Sequence, residues 1–145
     1  MRVIFVAMFV TAGSIALAHS GATGIVKERM DGMGSLAASM KSLVGMHKTG
    51  AIDADSVRQI ARTIKAHSGS ALNARFPDGS LPKVSEASPK IWEDWDRFSE
   101  ISGELFAVAS RLETEATTPD LNLGGYVEEL GATCSSCHKD FRIKK

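Results

Sequence analysis

Apolar residues recur along this chain at steps of three or four. From Ile25 the series Val26, Met30, Met33, Ala37, Met40 and Val44 marks one face of a helix. Gly45 and Gly50 then interrupt it. Asp53 or Asp55 supplies an N-cap for a second helix carrying Val57, Ile60, Ile64, Ala71 and Leu72, with Gly69 weakening its last turns. The segment from Phe76 to Pro89 holds Pro77, Pro82, Pro89 and Gly79, and reads as the one long connection. Ser88-Pro89 then has the form of an N-cap followed by a proline at the first helical position. A third helix continues through Trp95, Phe98, Ser102, Leu105, Ala109 and Leu112 until Pro119-Asp120 breaks the chain. The fourth carries Leu123, Val127, Leu130, Cys134, Cys137, His138 and Phe141. Nothing alternates with period two over a useful length. The pattern predicts an all-α fold, an antiparallel four-helix bundle with two short connections and one longer one. By themselves these stripes mean core.

The first residues do not belong to that pattern. Met1-Arg2 precedes an almost unbroken apolar run from Val3 to Leu17, and Ala16-Leu17-Ala18 has the A-x-A form of a cleavage site. This is the layout of a secretory signal peptide. The run is shorter than the ~20 residues a membrane-crossing helix needs and contains Gly13 and Ser14, so an anchor fits less well. The expectation is a cleaved signal over 1–18, one exported domain over 19–145 without a membrane span, and a periplasmic location. Export changes the reading of the two cysteines, because an unreacted thiol pair outside the cytoplasm oxidises. Cys134 and Cys137 are then either a disulfide or committed to other chemistry.

Composition narrows the classes further. Apolar residues make up 43% and charged residues 23% of 145, the profile of a folded domain. Seventeen basic residues balance seventeen acidic ones. That neutrality argues against nucleic acid as a partner, since phosphate binding needs a basic surface.

Cys134-Ser135-Ser136-Cys137-His138 is a C-x-x-C-H run, the attachment motif of a c-type haem. Each thiol adds across one porphyrin vinyl group, and positions i and i+3 of a helix let both sulfurs reach one ring edge. His138 follows immediately, so its imidazole can turn under the iron as the proximal axial ligand. Three other readings compete. A structural zinc site needs further ligands, and no second CxxC or Hx3–5H partner exists. A thioredoxin-like redox pair sits at the start of a helix after a strand, and no strand is predicted. A plain disulfide leaves His138 without a reason.

With the motif at the C-terminal end of an all-helical pattern, the sequence resembles the cytochrome c′ family, c-type cytochromes built as four-helix bundles. The resemblance covers essentially the whole chain after the signal. GATCSSCHKDFRIKK is similar to the family's ending, RFPDGS and SPKIWEDWDRF to its connection between the second and third helices, and KERMDGMGSLAASMKSL to its Arg-containing opening. The resemblance implies one covalent haem c on Cys134 and Cys137, with His138 as axial ligand. It places Arg29 near the haem propionates, Met33 on the distal side of the iron and Arg142 near the proximal side. Arg29 and Met33, at i and i+4, can face one groove. The family also implies a homodimer through the first two helices.

The distal side decides the function. In the c′ members proper the resemblance implies a five-coordinate, high-spin iron open to small gases such as NO and CO. In related low-spin bundles a first-helix methionine is the sixth ligand, and thioether ligation favours electron transfer. Methionine at the Met33 position occurs in both. The middle segments resemble c′ proper more closely, so the expectation is an exported haem protein acting in electron transfer or gas binding at five-coordinate iron. A His/Met-ligated carrier is the alternative.

Met30, Met40, His47 and His67 are weaker ligand candidates. Gly32 and Gly34 flank Met33, which fits either close approach to a flat ring or tight helix packing. No carboxylate or histidine falls beside Met33 at a spacing suited to proton delivery, so a peroxidase or reductase fits less well and the protein is expected not to be an enzyme. A haem-free exported bundle is the remaining reading. The redox partner is not identified. Between Glu86 and Glu129, however, eleven acidic residues face three basic ones, while four basic residues and one acid follow from Lys139. The basic cluster complements the negative end of the last helix, or steers an acidic partner toward the haem edge.

Overall fold

The computed structural model describes residues 22–81 and 85–143. The signal segment expected over 1–18 lies outside them, as do Lys144 and Lys145. Six helices are present among the described residues: α1 (Gly24–Thr49), α2 (Ala54–Ala66), α3 (Ser70–Asn73), α4 (Lys90–Glu93), α5 (Trp95–Glu115) and α6 (Leu123–Phe141). The four long ones form the bundle. α1 packs on α2 and α6, and α5 packs on α2 and α6. The short connections after α1 and α5 turn the chain back on itself, whereas the long one carries it from α2 across to α5. No described helix is long and apolar enough to cross a membrane.

Local chemistry sets the helix ends. Gly50 closes α1 in the left-handed conformation at φ +70°. The Asp53 carboxylate accepts from the Ser56 amide at 2.9 Å and caps α2. Asn122 Oδ1 accepts from Gly125 N at 3.1 Å and caps α6. The Ser88 hydroxyl accepts from Lys90 N at 3.3 Å just before α4, where Ser88-Pro89 signalled a helix start.

Three sequence expectations need correction. The buried stripe of α1 is Val26, Arg29, Gly32, Leu36, Ser39 and Leu43, one residue earlier than the apolar series after Val26. Met30, Met33, Met40 and Val44 are half-buried along its edge, and Ala37 is exposed. Small and polar residues occupy the tightest contacts there, so hydrophobicity marks the flank. The second predicted helix stops at Ala66 instead of reaching Leu72, and Ala71 is exposed. Its break is Gly69, at φ +59°, whose amide donates to Ser102 O and whose carbonyl accepts from the Ser102 hydroxyl, both at 3.0 Å. A Cβ at Gly69 would lie 3.3 Å from Phe106 Cβ, so both conformation and space call for glycine. The third predicted helix is interrupted at Asp94 (φ −132°, ψ 56°), and Trp95 stands 37% exposed instead of buried.

The interior forms two clusters. The larger is aliphatic and includes Leu43, Val57, Ala61, Ile64, Leu105, Ala109, Leu112, Leu123 and Leu130. The smaller is rich in aromatics: Leu72, Phe76, Ile91, Phe98, Ile101 and Phe141. Phe98 meets Phe76 at 5.0 Å and Phe141 at 5.5 Å, both edge-to-face. Met33 packs against both clusters.

Candidate functional site

The cysteine pair lies at the junction of the two cores. Cys134 packs against the aliphatic cluster and Cys137 against the aromatic one, both half-buried on α6. Their i, i+3 spacing directs both toward one cleft. Met33 and Leu36 from α1, Leu72 from α3, Ile101, Ser102 and Leu105 from α5, and Thr133 and His138 from α6 complete its lining. Its enclosed volume is about 30 Å³, and its walls are almost wholly apolar. His138 is exposed at the rim.

Burial raises the pKa of both thiols, and for Cys137, with Cys134 and Asp140 adding to the effect, pushes it up to about 11. A thiol–disulfide catalyst needs the opposite, a thiolate stabilised by a depressed pKa. Cys134 and Cys137 are free thiols, and among the described residues no three His, Cys, Asp or Glu side chains converge in a metal-binding group. Desolvation lowers the His138 pKa, and the positive charge of Arg142 lowers it further, which favours the neutral form that can donate a lone pair.

Arg29 is the least expected resident of this end of the bundle. It is only 4% exposed, and its guanidinium lies 4.6 Å above the Phe76 ring. Nη2 donates to Ser80 O at 2.6 Å, while Nε and Nη1 have no hydrogen-bond partner among the described residues. Burial lowers its pKa, but an arginine stays charged. Leaving a buried cation with two unsatisfied donors costs several kcal/mol unless an anion answers it. A carboxylate presents the matching pair of acceptors. Two thiols on an apolar cleft, an adjacent neutral imidazole and a buried unsatisfied arginine are the donor set that suits an apolar macrocycle with acidic side arms and a metal centre.

The structure brings Met33, Cys134, Cys137 and His138 to one cleft and sets Arg29 one turn from Met33. Arg142 lies one turn beyond His138 and pairs with Glu86, donating through Nε at 2.8 Å and Nη2 at 2.6 Å. The other sulfur and nitrogen candidates do not line the cleft. Met40 packs against the aliphatic core. The His47 ring lies against Gly124 at the start of α6, where a Cβ would come within 2.7 Å of it. His67 Nδ1 bonds to Arg75 Nη1 at 3.1 Å. The flat ring that Gly32 approaches is this imidazole, 3.1 Å from the position of a Cβ, while Gly34 faces open space. Leu36, Leu72, Ile101 and Thr133 line the cleft without any sequence signal, because a wall residue and a core residue share one helical period.

A sequence profile of the cytochrome c′ family matches residues 24–142. The chain belongs to the cytochrome c′ family. Members of the family are c-type haem proteins. Cytochrome c-556 of Agrobacterium tumefaciens (strain II Chrys) is 31% identical over 123 residues, covering 84% of this chain and 99% of that one. The solved cytochrome c′ from Rhodopseudomonas palustris superposes with a TM-score of 0.75 at 28% identity, covering 86% of this chain and 99% of its own. A nitric oxide complex of the L16A mutant of cytochrome c prime from Alcaligenes xylosoxidans matches with a TM-score of 0.73 at 26% identity, over 83% of this chain and 94% of that one. These cytochromes c′ are four-helix bundles, and the chain shares that architecture, with α3 and α4 inserted in its long connection.

Proposed function

We propose that this cytochrome c′ carries one haem c bound covalently through Cys134 and Cys137, with His138 as axial ligand, and that it works in electron transfer or in binding small gases. The observation that carries the assignment is the buried Arg29, whose unpaired Nε and Nη1 call for an anionic partner in this part of the bundle. Cys134 and Cys137 fix the ring edge, His138 supplies its imidazole, and Arg29 holds a propionate. When bound, haem supplies a reversible one-electron couple and an iron that takes small ligands. Leu36, Leu72, Ile101 and Leu105 exclude water from the cleft and favour small uncharged ligands over ions. A nitric oxide complex of a related cytochrome c prime is consistent with that use of the fold. Among the described residues no proton-delivering side chain lines the Met33 side of the cleft, which favours a carrier or gas binder over an enzyme.

A second reading has its own observation. Met33 shares the cleft with both cysteines, and its flexible thioether suits a sixth ligand. The spectrum of the reduced protein with and without CO separates the two. Five-coordinate iron gives broad high-spin bands that shift on CO addition. Sharp, split bands indifferent to CO mean methionine ligation, and Met33→Ala then converts the protein to a CO-reactive form. The covalent assignment is tested by haem staining on a denaturing gel of protein matured in an exporting host. Wild type stains, and Cys134→Ser/Cys137→Ser does not. An unstained wild-type band overturns the proposal.

A further inference from the structure

Beyond the end of α6 the chain does not run free. Ser88 N donates to Phe141 O at 2.9 Å, and Ile143 N donates to Glu86 O at 2.8 Å. Ala87 and Arg142 form an antiparallel bridge between these bonds. The 86–88 segment is thus a short strap laid along the C-terminal turn. Across it Glu86 receives both Nε and Nη2 of Arg142 on one carboxylate oxygen. Arg142 caps α6 in extended backbone, and its amide donates to His138 O at 3.3 Å, so the two residues meet at the helix end. The connection between α2 and α5 therefore reaches the axial-ligand side of the site.

We propose that Glu86 is a positioning residue for the haem centre: it holds the Arg142 guanidinium beside His138 and masks its charge there, setting how much positive potential the iron feels. The inference rests on His138 being the axial ligand. Its physical content is a comparison of fields. An unmasked guanidinium about one helical turn from the imidazole favours the reduced, less positive centre. A guanidinium carrying a carboxylate on its outer edge favours it less. The pair is half-exposed, with 52% and 42% of the side chains accessible, so the effect is modest and is screened by salt. It also runs through Arg142.

The test is the one-electron midpoint of the haem-loaded protein, measured by spectroelectrochemistry at low salt. Glu86→Gln keeps an oxygen for Arg142 but removes the masking charge. We expect it to move the redox equilibrium about two- to threefold toward the reduced form, about 18–28 mV at 59 mV per tenfold. Arg142→Gln moves it by a similar factor toward the oxidised form. Glu86→Asp, which preserves the charge, stays close to wild type. In the Arg142→Gln background, Glu86→Gln has a smaller effect than in wild type. Unchanged exchange protection of the Ser88 and Ile143 amides shows that the strap stays in place in the variants. An equal shift from Glu86→Gln in both backgrounds, or none in the wild-type background, overturns the inference. The iron–histidine stretch in the resonance Raman spectrum of the reduced wild type tests the underlying reading separately. Its loss in His138→Ala confirms the ligand, and its absence from wild type removes both claims.

Discussion

The two cores of this bundle solve different problems with the same helices. The aliphatic cluster is built from leucine, valine, isoleucine and alanine on all four long helices, and Leu43, Val57, Ala61, Ala109, Leu112 and Leu130 are 0–1% exposed in it or close to that limit. Only Leu36 and Leu105 at its edge, with Cys134 packed beside them, reach the cleft. The aromatic cluster closes the other region with Phe76, Phe98 and Phe141, and takes in a buried arginine with two unsatisfied donors. The first is a solved packing problem. The second carries the unanswered cation that an anionic guest would satisfy, and Cys137 packs against it. Stability and chemistry have been divided between the clusters, and the division can be tested.

The largest effects come from emptying each core in turn. Phe98→Ala should cost about 3–5 kcal/mol and Leu112→Ala about 2–5 kcal/mol in urea denaturation. Only Phe98→Ala should also disturb the haem absorption spectrum. Equal spectral effects from both would erase the distinction.

Arg29→Met sharpens it by sign. In the haem-free chain the substitution removes an unanswered buried charge and should stabilise by about 1–4 kcal/mol. In the loaded protein it removes a propionate partner and should destabilise. The same sign in both forms would show that Arg29 is not reserved for an anion.

The thiols give a pH dependence next. The folded pKa of Cys137 is raised, so unfolded chains lose this proton near pH 9 while the fold holds it up to about 11. Stability of the reduced, haem-free chain should therefore fall by roughly 3 kcal/mol as pH rises through that window. Cys137→Ala should flatten the fall, and an unaltered slope would place the titration elsewhere. The smallest effect is at Gly69, on the α2–α5 side. Gly69→Ala forces a side chain into left-handed backbone against Phe106 and should cost about 1–2 kcal/mol, read as a lower urea midpoint.

The same contrast explains how much was legible in the sequence. The aliphatic core announces itself, because Val57, Ile64, Leu105, Leu112 and Leu130 repeat at helical spacing. The Cys134–His138 motif is equally plain, since its spacing is dictated by covalent chemistry. The α1 stripe was misread by one residue because its tightest contacts belong to Arg29, Gly32 and Ser39, which no hydrophobicity count selects. The break at Gly69 depends on a backbone conformation fixed by Ser102, thirty-three residues away. Glu86 was visible only as one more acid in an acidic stretch. Its partner lies fifty-six residues on, and only the folded strap brings the two together.

Cys134 belongs to one core and Cys137 to the other, three residues apart on a single helix. A rigid group bonded to both sulfurs, as proposed, would tie the two clusters together through something stiffer than side-chain contact. Neither can then loosen without pulling on the other. Maturation would then be, in mechanical terms, the driving of a rivet across a seam. Amide exchange in the unloaded chain should release the aromatic end before the aliphatic one, and in the finished cytochrome both should open together.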